Sequence, residues 1–187
     1  MRNKSGFTII EVVVVIMIMA VMMGIGFPYI MGWLPNFRLR NATRDVHSNL
    51  QSARMTAIKQ RVNCTVSFVS FTDDNYTKAN GTENGYQIYL DGNNNNQYDG
   101  KPDDRMLKQV FVQHPTDSSK SAYSNDVTIA SVNFTNNGLN EPSITFRSNG
   151  LLFGTSNGTV TLARSDDTAK KRDVVVNVAG RILIREP

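Results

Sequence analysis

A single carboxylate, Glu11, lies inside the long apolar run near the start of this sequence, and its presence there requires a chemical explanation. Between Phe7 and Leu34 it is the only charged side chain. A charge at the middle of a bilayer costs roughly 2.5–3.5 kcal/mol on insertion scales, and it usually marks a site that pairs with another charge. The position of Glu11 therefore predicts an opposite charge that meets it inside an apolar environment.

A second group of residues with binding chemistry lies in the segment DGNNNNQYDGKPDD. Calcium loops place Asp or Asn oxygens at alternating positions. Here those oxygens would come from Asp91, Asn93, Asn95 and Asp99. The segment departs from such a loop, because Asn96 replaces the usual glycine and Pro102 replaces the usual bidentate Glu. Asn and Asp are also common in plain turns. Calcium is thus one expectation, an ordinary hairpin loop is the other, and no other cofactor is expected.

The remaining reactive residues form no catalytic motif. The one cysteine, Cys64, allows no disulfide within the chain, and its alternating run VNCTVSF predicts a packed side chain. His47 and His114 stand apart from each other and from any nucleophile motif. No Walker loop, GxGxxG or HExxH is present. The formal charge of +4 is modest and is weak support for a nucleic-acid partner. The sequence gives no reason to expect an enzyme.

The apolar run predicts a membrane-spanning helix. About 20 apolar helical residues cross the hydrocarbon layer, and the run from Phe7 to Leu34 is long enough. Arg2 and Lys4 precede it, so the positive-inside rule leaves the amino end in the cytoplasm and exports the rest. A cleaved secretory signal and a plain signal anchor are alternatives, but neither of them explains Glu11.

The motif KSGFTIIEVVVVI resembles the class III leader of type IV pilins and type II secretion pseudopilins. In that family a prepilin peptidase cuts after the glycine and methylates the new amino terminus. The resemblance implies cleavage between Gly6 and Phe7, with Phe7 N-methylated. It also implies that Glu11 neutralises the amino terminus of a neighbouring subunit during assembly. Pro28 matches a proline that pilins often carry in the assembly helix. It and Pro35 predict a bend or a local loss of helix.

The rest of the chain predicts an amphipathic helix followed by strands. Between residues 37 and 61, apolar residues recur at helical spacing. They are Leu39, Ala42, Val46, Leu50, Ala53, Ala57 and Ile58. After residue 61 the period becomes two, and turn residues separate short runs. These runs are VNCTVSF, GYQIYL, MLKQVFVQ, VTIASVNF, SITFR, LLFG, TVTLAR, DVVVNV and RILIR. The predicted fold class is α+β, a long N-terminal helix packed against a β-rich head (the pilin fold).

Within the family, the stretch RMTAIKQRVNCTVSF is similar to the GspH/FimT branch of minor pilins, through Arg54, Ala57 and Ile58. Some FimT-like pilins are thought to bind DNA through basic residues after a glycine near the carboxyl end. That resemblance would assign DNA binding to Arg181 and Arg185. Leu183, however, stands where the second arginine of that pattern is wanted. Arginines that keep an exposed edge strand from aggregating are the alternative.

The predicted organisation is a leader (1–6), a transmembrane assembly helix (7–36), its amphipathic continuation (37–61) and a periplasmic head (62–187). The resemblance implies a minor pilin or pseudopilin, without catalysis, that joins a type IV pilus or type II secretion pseudopilus in its priming or tip complex. Its expected partners are other pilins, the prepilin peptidase and the bacterial inner membrane. A filament-borne receptor for DNA or another surface ligand is the alternative.

Overall fold

A computed structural model describes residues 7–72, 75–77, 84–95, 98–100, 102–114, 117–134, 142–154 and 157–186. The predicted leader lies outside these residues. The helix is α1 (Ile9–Gln60). The strands are β1 (Asn63–Thr72), β2 (Asn75–Thr77), β3 (Gly85–Asp91), β4 (Asp104–Phe111), β5 (Val127–Asn133), β6 (Ser143–Phe146), β7 (Gly158–Arg164), β8 (Lys171–Val176) and β9 (Ile182–Arg185). Pro35 ends the first of two compact units, and Asn36 begins the second.

The helical backbone continues through both prolines of the first unit. Residues 9–35 are helical, including Pro28 and Pro35. Neither proline causes a local loss of helix, and the other expectation, a bend, stays a prediction. Each proline removes one backbone hydrogen bond, and in so long a helix the bonds on either side remain to hold the backbone.

The second unit contains two antiparallel sheets. One has the order β2-β1-β3-β4, with β6 also paired to β1, and the other has the order β5-β7-β8-β9. The first sheet keeps a regular register in which Cys64 lies opposite Leu90 and Val66 opposite Ile88. Because side chains alternate between the faces of a strand, this register puts the alternate apolar residues of β1 and β3 on one face.

The core forms where the second half of α1 meets residues from both sheets. Six of the seven residues in the predicted helical stripe are buried in this core: Leu39, Ala42, Val46, Leu50, Ala53 and Ala57. The seventh, Ile58, is 41% exposed. Burying a Leu or Val side chain contributes about 1.5–3 kcal/mol, so the stripe attaches this part of the helix firmly to the sheets.

The strand predictions agree with the structure except at two places. LLFG forms no strand, and only Leu152 makes an isolated bridge to Phe146. Gly150, just before this segment, and Gly154, its last residue, have φ values of +79° and +111°, which turn the chain out of extended geometry. The three-residue strand β2 was not predicted, because a segment that short shows no periodicity. The predicted α+β class, a long N-terminal helix followed by a β-rich head, is confirmed.

Candidate functional site

The first turn of α1 fixes the backbone around Glu11. The backbone N–H of Glu11 donates to the Thr8 carbonyl oxygen at 3.1 Å and lies 3.4 Å from the Thr8 hydroxyl oxygen. Thr8 is therefore the N-cap, and Glu11 is the third helical residue, the spacing of a capping box. A carboxylate in the first turn also interacts favourably with the positive end of the helix dipole. Sequence reasoning missed the capping role of Thr8, although the T-x-x-E spacing indicated it.

The apolar segment that follows is not covered by any part of the chain that the structure describes. Every residue from Phe7 to Ile25 is exposed, with Ile9 at 86% and Met17 at 63%. The segment Ile9–Gly26 is long and apolar enough to cross a membrane. Exposed apolar surface on this scale marks contact with lipid or with other proteins, so an apolar environment must surround this helix when the protein functions.

The Glu11 side chain is exposed on this segment and has no partner among the described residues of the chain. A carboxylate placed in hydrocarbon without a partner is strongly unfavourable. Its partner must therefore come from outside the residues that the structure describes. Gly6 lies outside them, as does the side chain of Pro28, so the predicted cleavage between Gly6 and Phe7 and the assembly role of Pro28 stay predictions.

The structure brings the four predicted calcium ligands into one loop between β3 and β4. The Asp99 carboxylate accepts hydrogen bonds from the side-chain amides of Asn93 at 2.9 Å and Asn95 at 2.5 Å, and these lower the pKa of Asp99. The buried Asp91 accepts from the backbone N–H of Asn95 at 3.2 Å. The two asparagines thus present N–H groups, and not oxygens, to the Asp99 carboxylate.

A residue that the sequence did not single out closes the same loop. Asp104, which is buried, accepts hydrogen bonds from the backbone N–H of Gly92 at 3.1 Å and of Asp99 at 2.8 Å. The loop is therefore stabilised by hydrogen bonds between its own residues, as an ordinary hairpin loop is. In the described ranges, no group of three His, Cys, Asp or Glu residues could hold a metal ion. These internal hydrogen bonds favour the ordinary hairpin, and calcium binding stays the alternative prediction.

The two arginines of the carboxyl-terminal segment lie beside an exposed apolar residue. Arg181, just before β9, and Arg185, the last residue of β9, are exposed, and β9 is an edge strand. Ile182, on the opposite face, is 7% exposed, whereas Leu183 between the arginines is 46% exposed. DNA binding by these arginines stays a prediction.

The cysteine and histidine side chains occupy structural positions. Cys64 is fully buried in β1, and burial raises the pKa of its thiol to about 12. The buried His114 accepts a hydrogen bond at Nδ1 from the backbone N–H of Asp117 at 3.0 Å. The His47 ring lies on the helix surface, 3.4 Å from the side-chain nitrogen of Gln51. These surroundings show a packed thiol, as predicted, and two histidines that are far apart in the sequence and have separate partners.

Comparisons with known proteins agree with this architecture. The family model for the type II transport protein GspH matches residues 42–180, and the prokaryotic N-terminal methylation motif matches residues 1–27. Comparison with curated proteins finds no match. Among solved structures, the chain is similar to the type IV minor pilin FimU of Pseudomonas aeruginosa, with 17% identity and a TM-score of 0.54 over 82% of this chain and 92% of that chain.

Two further structures are similar to lower degrees. The minor pseudopilin EpsH from the type 2 secretion system of Vibrio cholerae has 10% identity and a TM-score of 0.47, over 80% of this chain and 98% of that chain. GspH of E. coli has 11% identity and a TM-score of 0.46, over 82% and 91%.

An exposed apolar helix with one acid in its first turn, followed by an antiparallel head, defines a pilin-like protein. The GspH model covers most of the chain, and the methylation motif covers its start. The chain belongs to the type II transport protein GspH family.

Proposed function

We propose that this protein is a minor subunit of a type IV pilus or a type II secretion pseudopilus. It is made as a precursor in the bacterial inner membrane, with the head in the periplasm. A prepilin peptidase cuts it between Gly6 and Phe7 and methylates Phe7. It then enters the priming or tip complex of a filament through its N-terminal helix. The family match and the methylation motif support the subunit class.

The observation that carries the proposal is that Glu11 has no partner among the described residues and lies on the exposed apolar segment of α1. Removal of the leader would create a positively charged amine at Phe7, four residues before this acid. In an apolar bundle each of these charges is costly alone, and breaking such a buried pair costs about 3–5 kcal/mol. The amine of one subunit and the Glu11 carboxylate of another therefore satisfy each other only at one relative height.

This pairing also explains how a filament grows. A contact in which one surface of a subunit meets a different surface of the next produces an open helical polymer when the rotation does not close. Glu11 meeting the amine of a neighbour is a contact of this kind. The apolar helix supplies the contact area, and the charge pair selects the register. The head is free to select which pilins are the neighbours.

Replacing Glu11 tests the proposal directly. Glu11→Ala and the nearly isosteric Glu11→Gln should both remain in the membrane fraction after alkaline extraction. Both should be depleted at least about tenfold from sheared filaments or from cross-linked pseudopili, since losing several kcal/mol corresponds to more than a factor of ten. Met17→Ala serves as a control, because it removes apolar contact from the same exposed helix but leaves the charge pair.

Normal incorporation of both Glu11 variants would contradict the proposed pairing. Mass spectrometry of the amino terminus tests the processing step separately, and the expected mature chain begins with N-methylated Phe7. Counting copies against the major pilin tests placement in the tip complex. A few copies per filament are expected, and stoichiometric incorporation along the length would exclude it.

A further inference from the structure

A basic cleft lies at the start of the second unit, where the head joins the apolar helix. It has a volume of about 330 Å³. It is lined by Asn36, Leu39 and Arg40 of α1, by Ala169, Lys170, Lys171 and Arg172 at the start of β8, and by Glu186. Leu39 is only 4% exposed and Ala169 is the other apolar residue of the lining, so the cleft is mainly charged and polar with a small apolar part. This arrangement can take a small polar ligand with an adjoining apolar part.

The charges of the cleft do not cancel. Two of its four cations have carboxylate partners, since Lys170 lies 3.9 Å from Asp167 and Arg172 lies 2.6 Å from Glu186. The other two, Arg40 and Lys171, are exposed and form no ion pair in the part of the chain that the structure describes. The cleft therefore keeps two uncompensated positive charges and attracts an anion.

The position of the cleft along the chain limits where that anion can be. Asn36 follows Gly26, the last residue of the 18-residue segment apolar enough to span a membrane, by ten residues, and the predicted transmembrane helix (7–36) ends at Asn36 itself. The cleft includes Asn36, where the second unit begins, so part of it always lies next to the end of the membrane-spanning helix. The surface that every inserted copy of the chain meets there is the phospholipid headgroup layer.

Three arginines follow the membrane span on the exported side, where the positive-inside rule disfavours them. The positive-inside rule counts Lys and Arg within about 15–20 residues of a span and favours them on the cytoplasmic side. Arg38, Arg40 and Arg44 follow the span within that distance on the exported side. Arg38 pairs with Asp126 of the head. Arg40 forms no ion pair with the described residues of the head, so its charge is available to a ligand.

We propose that this cleft binds the phosphodiester headgroup of an anionic phospholipid, such as phosphatidylglycerol, in the membrane leaflet next to the head. Arg40 and Lys171 contact the phosphate, and the small apolar part of the lining lies beside the glycerol carbons. The interaction holds the head of an unassembled subunit at the membrane surface. It requires insertion of the apolar helix only and does not depend on the chain entering a filament.

Titration of the full-length protein in neutral detergent tests the proposal. The probe is dihexanoylphosphatidylglycerol, with dihexanoylphosphatidylcholine as the zwitterionic comparison, and calorimetry gives the dissociation constants. The variant Arg40→Gln/Lys171→Gln removes the two uncompensated cations. Its matched control, Lys59→Gln/Arg105→Gln, removes the same charge from two exposed residues outside the cleft.

The expected result is selective binding of the anionic lipid by the wild type and by the control. The cleft variant should bind about 30-fold more weakly, which at 1.4 kcal/mol per tenfold corresponds to the effect of two basic residues near an anionic surface. Unfolding temperatures within about 2 °C of the wild type establish that both variants fold. Equal weakening in the cleft variant and in the control would overturn the proposal, because general charge would then explain binding.

Two further titrations separate this lipid from other phosphates. Inorganic phosphate bound as tightly as phosphatidylglycerol would overturn the lipid assignment. So would a short DNA duplex that binds more tightly than the lipid and loses that binding, with its steep salt dependence, in the same cleft variant. A duplex whose binding is lost only in Arg181→Gln/Arg185→Gln would leave the lipid proposal standing and would support the separate prediction at β9.

Discussion

The Nε–H of Arg54 in α1 donates to the carbonyl oxygen of Gly150, at 2.9 Å. The same guanidinium lies 3.4 Å from the carbonyl oxygen of Ala179 through Nη2. One arginine of the helix thus joins the loop after β6 to the turn between β8 and β9. Both loops contain a glycine with positive φ, Gly150 at +79° and Gly180 at +75°. The arginine that aligned with the family motif in the sequence has a structural role here.

Gly180 should be intolerant of any side chain. A Cβ there would overlap the Gly150 carbonyl oxygen and lie 2.9 Å from Arg54 Nε, and its φ is strained for other residues. We expect Gly180→Ala to lower the free energy of unfolding by about 2–4 kcal/mol. Gly100→Ala is the control, because Gly100 has φ +79° but nothing within 4 Å of the added carbon. It should cost about 1 kcal/mol. Equal losses in urea unfolding would show that the contact with Arg54 and Gly150 is unimportant.

The loop between β3 and β4 should be held by Asp104 and should not respond to calcium. Asn93 and Asn95 direct N–H groups at Asp99, whereas calcium requires oxygen ligands. We therefore expect no change in melting temperature up to about 1 mM calcium, the range of weak extracellular sites. Asp104→Asn should lower the melting temperature with or without the ion, because its acceptor oxygens hold the loop. A calcium-dependent rise that Asp99→Asn abolishes would establish a calcium site.

The protein should lose stability in alkaline solution, because three buried groups resist losing their protons. Burial raises the pKa of Cys64 from 9.0 to about 12 and raises the pKa values of Tyr86 and Tyr123 above 10.0. As the pH rises above 9, the unfolded chain releases these protons first. It then binds fewer protons than the folded chain, so stability falls with pH. The fall begins near pH 9 for the thiol and near pH 10 for the tyrosines.

Cys64→Ala isolates the thiol contribution. Between pH 7.5 and pH 10 the wild type should lose about 1.4 kcal/mol more unfolding free energy than the variant does, as expected for one group whose unfolded pKa lies a unit below the final pH. The comparison uses the change with pH within each protein, so the cavity left by the substitution cancels. Identical pH dependence in urea unfolding would mean that the thiol ionises equally in both states.

The sequence predicted those parts of the fold that rest on periodicity. The helical spacing of Leu39, Val46 and Leu50 identified the buried face of α1, because apolar residues at this spacing form one stripe that must face the core. The alternation in β1 and β3 did the same for the first sheet. Periodicity fails where a segment is short or its conformation is set by distant groups. LLFG is as apolar as a strand, but Gly150 and Gly154 turn the chain around it.

The candidate sites were predictable to different degrees. Glu11 stood out because placing a charge in hydrocarbon costs much free energy, and the apolar sequence around Glu11 is enough to show that it lies there. The basic cleft could not be predicted, because it joins Arg40 to residues some 130 positions later, and only the packing of β8 beside the helix creates it. Asp104 was missed for a similar reason. Its role is to accept hydrogen bonds from backbone N–H groups across the loop, and these contacts exist only in the folded chain.

The N-cap at Thr8 leads to a prediction about assembly that differs from the effect of Glu11 itself. The Thr8 side chain lies 3.4 Å from the Glu11 backbone nitrogen, so it helps to order the turn that carries the acid. Thr8→Ala should cost about 1 kcal/mol of helix stability at this end, and Thr8→Ser should cost little, because the hydroxyl is kept. The first turn of the alanine variant then frays, and the height of Glu11 along the helix is less sharply defined.

We therefore expect Thr8→Ala to speed hydrogen exchange at the Glu11 amide about fivefold, the factor that corresponds to 1 kcal/mol. It should reduce incorporation into filaments by a smaller factor than Glu11→Ala, and Thr8→Ser should match the wild type in both measurements. Both Thr8 variants keep the Glu11 carboxylate. An incorporation defect confined to Thr8→Ala would therefore come from a change in the position of that carboxylate. Equal incorporation of Thr8→Ala and Thr8→Ser would show that the partner's positive charge alone positions Glu11 and that the capping hydroxyl has no part in assembly.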